Sequence, residues 1–154
     1  MNTIPVATDF AAASRNPSAY VCQQLFVYSS LRKGFHDARY LYLTKFFDFV
    51  CKAEVKGILS ISELGPVASQ LSENHFIKGE LYHLKKEDDF SWVFGQLDEY
   101  EGLTPPPDEQ SLFRREVTTV YKEDGSVTDA WIFWYNADVS DKPVIASGDI
   151  LEYM

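Results

Sequence analysis

The spacing of apolar and polar residues changes several times along the chain, and each change marks an element. Leu25-Phe26-Val27-Tyr28 is an unbroken apolar and aromatic run, the mark of a short strand buried on both faces. It gives way at once to Ser29-Ser30, Leu31, Arg32-Lys33 and Gly34. A buried strand ending in such a small-residue turn leaves several backbone N–H groups aimed the same way. A nest of that kind can hold a carboxylate or the oxygen of a polarised carbonyl, although an ordinary strand-to-helix loop has the same composition. From Asp37 to Phe47, the residues Leu41, Leu43, Phe46 and Phe47 are set among Arg39, Tyr40 and Lys45, which reads as a short helix. Phe49 to Leu59 alternates as a strand does, with Gly57 as a candidate bulge. Leu64-Gly65-Pro66 is a turn signal, and Phe76 to Leu84 reads as a further strand bending at Gly79.

Asp88 to Glu101 carries the strongest helical pattern. Phe90, Val93, Phe94 and Leu97 recur at steps of three and four, with Asp88 or Asp89 able to cap the first turn. Gly102 and the run Pro105-Pro106-Pro107 end it. Arg114 to Tyr121 and Val127 to Tyr135 are β-rich runs joined through Glu123-Asp124-Gly125-Ser126, a hairpin signal. Gly148-Asp149-Ile150-Leu151 reads as a last short strand or extended tail. Residues 1–23 are small and polar and read as an N-terminal arm, able to pack on its own domain or on a second copy of the chain as a homodimer contact. Residues 24–154 form one domain. The order is not a regular βα alternation and lacks a Gly-x-Gly-x-x-Gly fingerprint, so the expected fold is α+β, a mixed, curled sheet with flanking helices.

One position breaks the helical stripe. Four residues beyond Leu97 the inward face holds Glu101, whereas Asp98 and Glu99 fall on faces where solvated acids are ordinary. A helix C-terminus disfavours a negative charge, and desolvation does the same. Both effects raise a carboxyl pKa, which suits a group that accepts and returns a proton near neutrality. The plainer alternative is an ion pair between Glu101 and Arg114 or Arg115, or a fraying last turn.

Composition narrows the picture. A chain of 154 residues that is 45% hydrophobic can bury a core without metals or disulfides. A net charge of −9 with scattered lysines and arginines argues against nucleic acid or an anionic membrane as partner. Cys22 and Cys51 lack Cys-x-x-Cys spacing and read as free thiols. The start Met1-Asn2-Thr3-Ile4-Pro5 has no basic region ahead of an apolar run, and no stretch approaches a membrane span, so a cytoplasmic protein is expected. His36, His75 and His83 have no metal-ligand spacing, so no metal site is expected, and no Gly-x-Ser-x-Gly elbow surrounds Ser29 or Ser30.

Four short motifs, in order, then point to a family. Phe26-Val27-Tyr28-Ser29-Ser30-Leu31-Arg32 resembles the Tyr-Gly-Ser-Leu-Arg motif of the gamma-glutamylcyclotransferase-like family. Gly79-Glu80-Leu81-Tyr82 resembles its Gly-x-(Leu/Val)-Tyr strand, Leu97-Asp98-Glu99-Tyr100-Glu101-Gly102 its Leu-Asp-x-x-Glu-Gly, and Ser147-Gly148-Asp149 its closing Gly-Asp. The resemblance, of the gamma-glutamylamine cyclotransferase type, runs from about residue 24 to the end.

It implies a small mixed, barrel-like sheet flanked by two to four helices, no cofactor, and a small-molecule γ-glutamyl substrate converted to 5-oxoproline and a free amine. Carried over, Glu101 is the general acid/base, and Tyr28, Ser29, Ser30 and Leu31 line the substrate oxygens. Arg32 is a candidate partner for a substrate carboxylate. Two departures stand out. Ser29 occupies the family's glycine position, and Phe113 stands where a tyrosine is frequent, which leaves Tyr135 as the candidate to supply a phenol. The alternative function is a small-ligand-binding or interaction module on the same fold without turnover.

Overall fold

The computed structural model describes residues 21–28, 38–62, 65–70, 74–100 and 111–150. The opening apolar run forms β1 (Gln24–Val27), followed by α1 (Ala38–Phe46) and β2 (Phe47–Lys56). A small hairpin, β3 (Ile58–Ser62) and β4 (Gly65–Ser69), precedes β5 (Phe76–Leu84). A single 3-10 turn (Glu87–Asp89) leads into α2 (Phe90–Tyr100), and the long hairpin β6 (Phe113–Lys122) and β7 (Val127–Tyr135) completes the set.

Among the described residues, five strands close a barrel in the order β1-β5-β2-β6-β7. Closure comes from β1 lying parallel to β7, with Leu25 beside Trp131; the other barrel pairings are antiparallel. Closing the sheet removes the unpaired edges that an open sheet would present. The barrel also explains the unbroken apolar run of β1. Phe26 and Tyr28 point into the barrel, against Val55, Ile77, Leu81, Ile132 and Trp134. Leu25 and Val27 point out, into a second cluster with Leu43, Phe47, Tyr82 and Phe133 that the helices cover. The α2 stripe enters that outer layer, where Val93, Phe94 and Leu97 are buried. Each such side chain contributes about 1.5–3 kcal/mol by leaving water.

Several expectations shift in detail. The strand expected across Gly57 is two strands: β2 ends at Lys56, and β3 leaves the barrel to pair with β4. The register irregularity instead falls between Phe49 and Cys51. Gly65 and Pro66 belong to β4, opposite Ser62 and Ile61, because proline is tolerated at the start of a strand. Gly79 is not a bend. It sits in continuous strand, and a Cβ there would come within 2.1 Å of the Val27 carbonyl oxygen. Asp88 and Asp89 lie in the 3-10 turn, which has no side-chain cap hydrogen bond. Gly148 and Asp149 are irregular and not a strand, with Gly148 at φ 72° and its carbonyl accepting from the Lys78 N–H, and Ile150 is helical. Neither Cys22 nor Cys51 is in a disulfide, as expected. No helix among the described residues is long and apolar enough to cross a membrane.

Candidate functional site

Of the residues singled out for chemistry, Tyr28 and Tyr135 are described; Ser29, Ser30, Leu31, Arg32 and Glu101 lie outside the described residues. The elements that lead into them are well defined. Because β1 and β7 run parallel, their C-terminal ends emerge at one end of the barrel, carrying Tyr28 and Tyr135 respectively. Helix α2 runs the same way. Phe90 and Phe94 meet Trp131 at ring-centroid distances of 6.3 and 6.2 Å, and one turn later Asp98 reaches Arg115, the cross-strand partner of Phe133. The ends of β1, β7 and α2 therefore converge. In sequence, Ser29 follows Tyr28, Asn136 follows Tyr135 and Glu101 follows Tyr100.

Tyr28 is buried in the barrel, and its hydroxyl donates to the Phe133 carbonyl oxygen at 2.6 Å. That bond ties the exit of β1 to the end of β7 and fixes where the following segment departs. Tyr135 is nearly buried on the outer face with Val67 and Val139. Its ring lies 5.4 Å from that of Phe113, its partner in the β6–β7 register. The position where a family tyrosine is frequent is thus directly across from Tyr135, which can present a phenol in the same neighbourhood.

The two sequence motifs that carried no assigned chemistry also meet. A cavity of about 500 Å³ opens on the barrel flank, and Gly79, Glu80 and Asp149 line it together with Lys52, Lys78 and Lys122. Glu80 pairs in register with Val27, so this flank adjoins the exit of β1. The Glu80 side chain is buried and accepts from the Tyr82 hydroxyl at 2.9 Å, as a buried polar group requires. Among the described residues no group of three His, Cys, Asp or Glu side chains is arranged to hold a metal.

The plainer reading of the helix end made Arg114 or Arg115 the partner of Glu101, which lies outside the described residues. Among the described residues both arginines have partners. Arg114 donates to Glu116, Asn136 and Gln70. Arg115 donates two bonds to Asp98, at 2.6 and 2.9 Å. Asp98 is therefore no solvated acid, contrary to the reading from its helical face. The Arg115 guanidinium is also stacked, 4.3 Å from the Trp131 ring centroid and 5.0 Å from that of Phe94. Sequence reasoning missed this arrangement because the partners are 17 residues apart and belong to different elements. The one available signal was an arginine inside a β-rich run.

The family model described as gamma-glutamyl cyclotransferase, AIG2-like, matches residues 25–152. The chain belongs to this family. Solved structures share the cyclotransferase-like fold at low identity. An AIG2-like protein from Mus musculus is 20% identical with a TM-score of 0.63, over 84% of this chain and 90% of that one. An uncharacterized protein from Pyrococcus horikoshii is 24% identical with a TM-score of 0.58, over 85% and 92%. YkqA from Bacillus subtilis is 22% identical with a TM-score of 0.61, over 87% of this chain but only 44% of YkqA. No curated protein matches this sequence. The closed barrel with two flanking helices is the α+β architecture of this cyclotransferase-like family.

Proposed function

We propose that the protein is a cofactor-independent γ-glutamyl cyclotransferase acting on a γ-glutamyl amine or related conjugate. The observation that supports this most is the convergence of the ends of β1, β7 and α2 at one end of the barrel, in a chain of this family. In the proposed reaction the substrate's own α-amino nitrogen attacks its γ-carbonyl carbon. A C–N bond closes the five-membered ring, and the bond from that carbon to the leaving nitrogen breaks. Glu101 takes the proton from the attacking amine and delivers it to the departing one, so the carboxylate is regenerated. The backbone donors of Ser29 to Leu31 hold the oxygen that gains negative charge, Arg32 and Tyr135 contact the substrate, and Tyr28 holds the segment's root. An internal nucleophile needs placement more than activation, which is why one proton carrier and a folded-back substrate suffice.

The test is incubation of purified protein with a panel of γ-glutamyl amines and γ-glutamyl peptides, reading 5-oxoproline. The expected result is turnover of at least one member by the wild type and none by Glu101→Gln with its fold retained. Full activity in Glu101→Gln removes Glu101 from the role. A substrate that raises the melting temperature without forming product supports instead the binding module without turnover.

A further inference from the structure

Arg115 and Asp98 form the most constrained charged contact in the described structure. The two side chains are 17% and 21% exposed, both bonds of the fork are short, and the guanidinium lies over both the Trp131 and the Phe94 rings. Stacking stops the fork from turning, and the fork stops Asp98 from moving. The contact is not simply stabilising. Burying an ion pair costs desolvation that a well-packed apolar pair would avoid, and the remaining Arg115 nitrogen, Nη1, is buried with no hydrogen-bond partner among the described residues. What such a pair supplies best is geometry.

Its location gives that geometry a use. Asp98 lies in the last turn of α2, two residues before the helix ends at Tyr100. That turn carries no basic residue to complement the helix dipole. A nearby polar tie of α2 is the Tyr42 hydroxyl donating to Gln96 Oε1, which is exposed. The fork thus fixes the rotation and height of the helix end against the barrel strand β6.

We infer that Arg115 is a positioning residue, acting through Asp98 to set where α2 presents the side chain that follows its last turn. This rests on the proposed role of Glu101 in the reading above. Side-chain displacements near 1 Å can cost about 100-fold in rate, so loosening the fork lowers turnover while substrate binding is kept.

The experiment compares wild type, Arg115→Lys, Asp98→Asn and their double variant on the γ-glutamyl substrate the wild type turns over best, with Arg114→Lys as the control and Glu101→Gln alongside. Arg115→Lys retains the charge and loses fork and stacking, so it keeps the fold. The expected result is a fall in kcat of about 10- to 100-fold for either single variant, KM within about twofold, and a double variant no worse than the singles. Amide hydrogen exchange should quicken from Leu97 to Tyr100 in the same variants. Arg114→Lys should match wild type in both. A lowered melting temperature with unchanged kcat, or helix-end exchange as slow as in wild type, overturns the inference and leaves the catalytic reading standing. An active Glu101→Gln, or an inactive wild type, overturns the catalytic reading, and this inference falls with it.

Discussion

Replacing Gly79 with alanine adds one carbon at the tightest point between β5 and β1. Its Cβ would lie 2.1 Å from the Val27 carbonyl oxygen and 2.7 Å from Phe26 Cζ. An unstrained C···O approach is about 3.3 Å, so one strand must shift by about 1.2 Å. The Phe26 ring could rotate away, but the Val27 oxygen is backbone and is held by the β1–β5 register. Relief therefore means moving β1 itself. Overpacking costs about 1–3 kcal/mol, and a backbone clash belongs at the upper end. Against this stands a gain of about 0.5–1 kcal/mol from the reduced freedom of the unfolded chain. The clash wins by about 2 kcal/mol, equivalent to roughly 4–8 °C in melting temperature for a domain of this size. Differential scanning calorimetry with a urea titration measures it. Since β1 is the root of the segment from Ser29, turnover should fall further than stability does. A Gly79→Ala protein as stable as wild type, or more so, refutes the close approach of the two strands.

Other outcomes follow from single contacts. Tyr28→Phe removes the hydroxyl that bonds the Phe133 carbonyl and should lower unfolding free energy by about 1 kcal/mol in denaturant titration. Cys51 is pushed up from the ordinary thiol value, chiefly by desolvation, so it should react with a thiol reagent at pH 8 more slowly in the folded than in the urea-unfolded chain. Any stability it supplies is present below the ordinary thiol pKa and is lost as pH rises through the raised folded value. Asp124 is held below the ordinary aspartate range, first by the Ser126 hydroxyl at 2.6 Å and then by the Ser126 N–H at 2.9 Å. Its contribution is present above the ordinary aspartate value and fades as pH falls through the lowered one. Ser126→Ala should move the Asp124 carboxyl midpoint upward in an NMR titration.

How much was legible in the chain depends on how local the cause is. The α2 stripe, the β6–β7 hairpin and the β5 strand were readable because side-chain period and turn chemistry act within about ten residues. The double burial of Leu25 to Tyr28 was readable too, and the barrel explains it. The split at Gly57 was not, because a glycine within an alternating run fits a bulge and a strand end equally well. The hairpin strand Gly-Pro-Val-Ala-Ser, residues 65–69, has almost no β signal of its own. Its order comes from pairing with β3 and from the burial of Val67 against Tyr135. At the candidate site, Glu101 and the Ser29–Arg32 segment were singled out by pattern and by resemblance. The Arg115–Asp98 fork was missed because only the barrel brings β6 to the last turn of α2.

In the proposed reaction the substrate's own amine, and not water, attacks the γ-carbonyl. Turnover of a γ-glutamyl amine in water enriched with oxygen-18, followed by mass spectrometry of the acidic product, tests this most directly. The expected product is 5-oxoproline, equimolar with released amine and without the label. Glutamate carrying one labelled oxygen would contradict it.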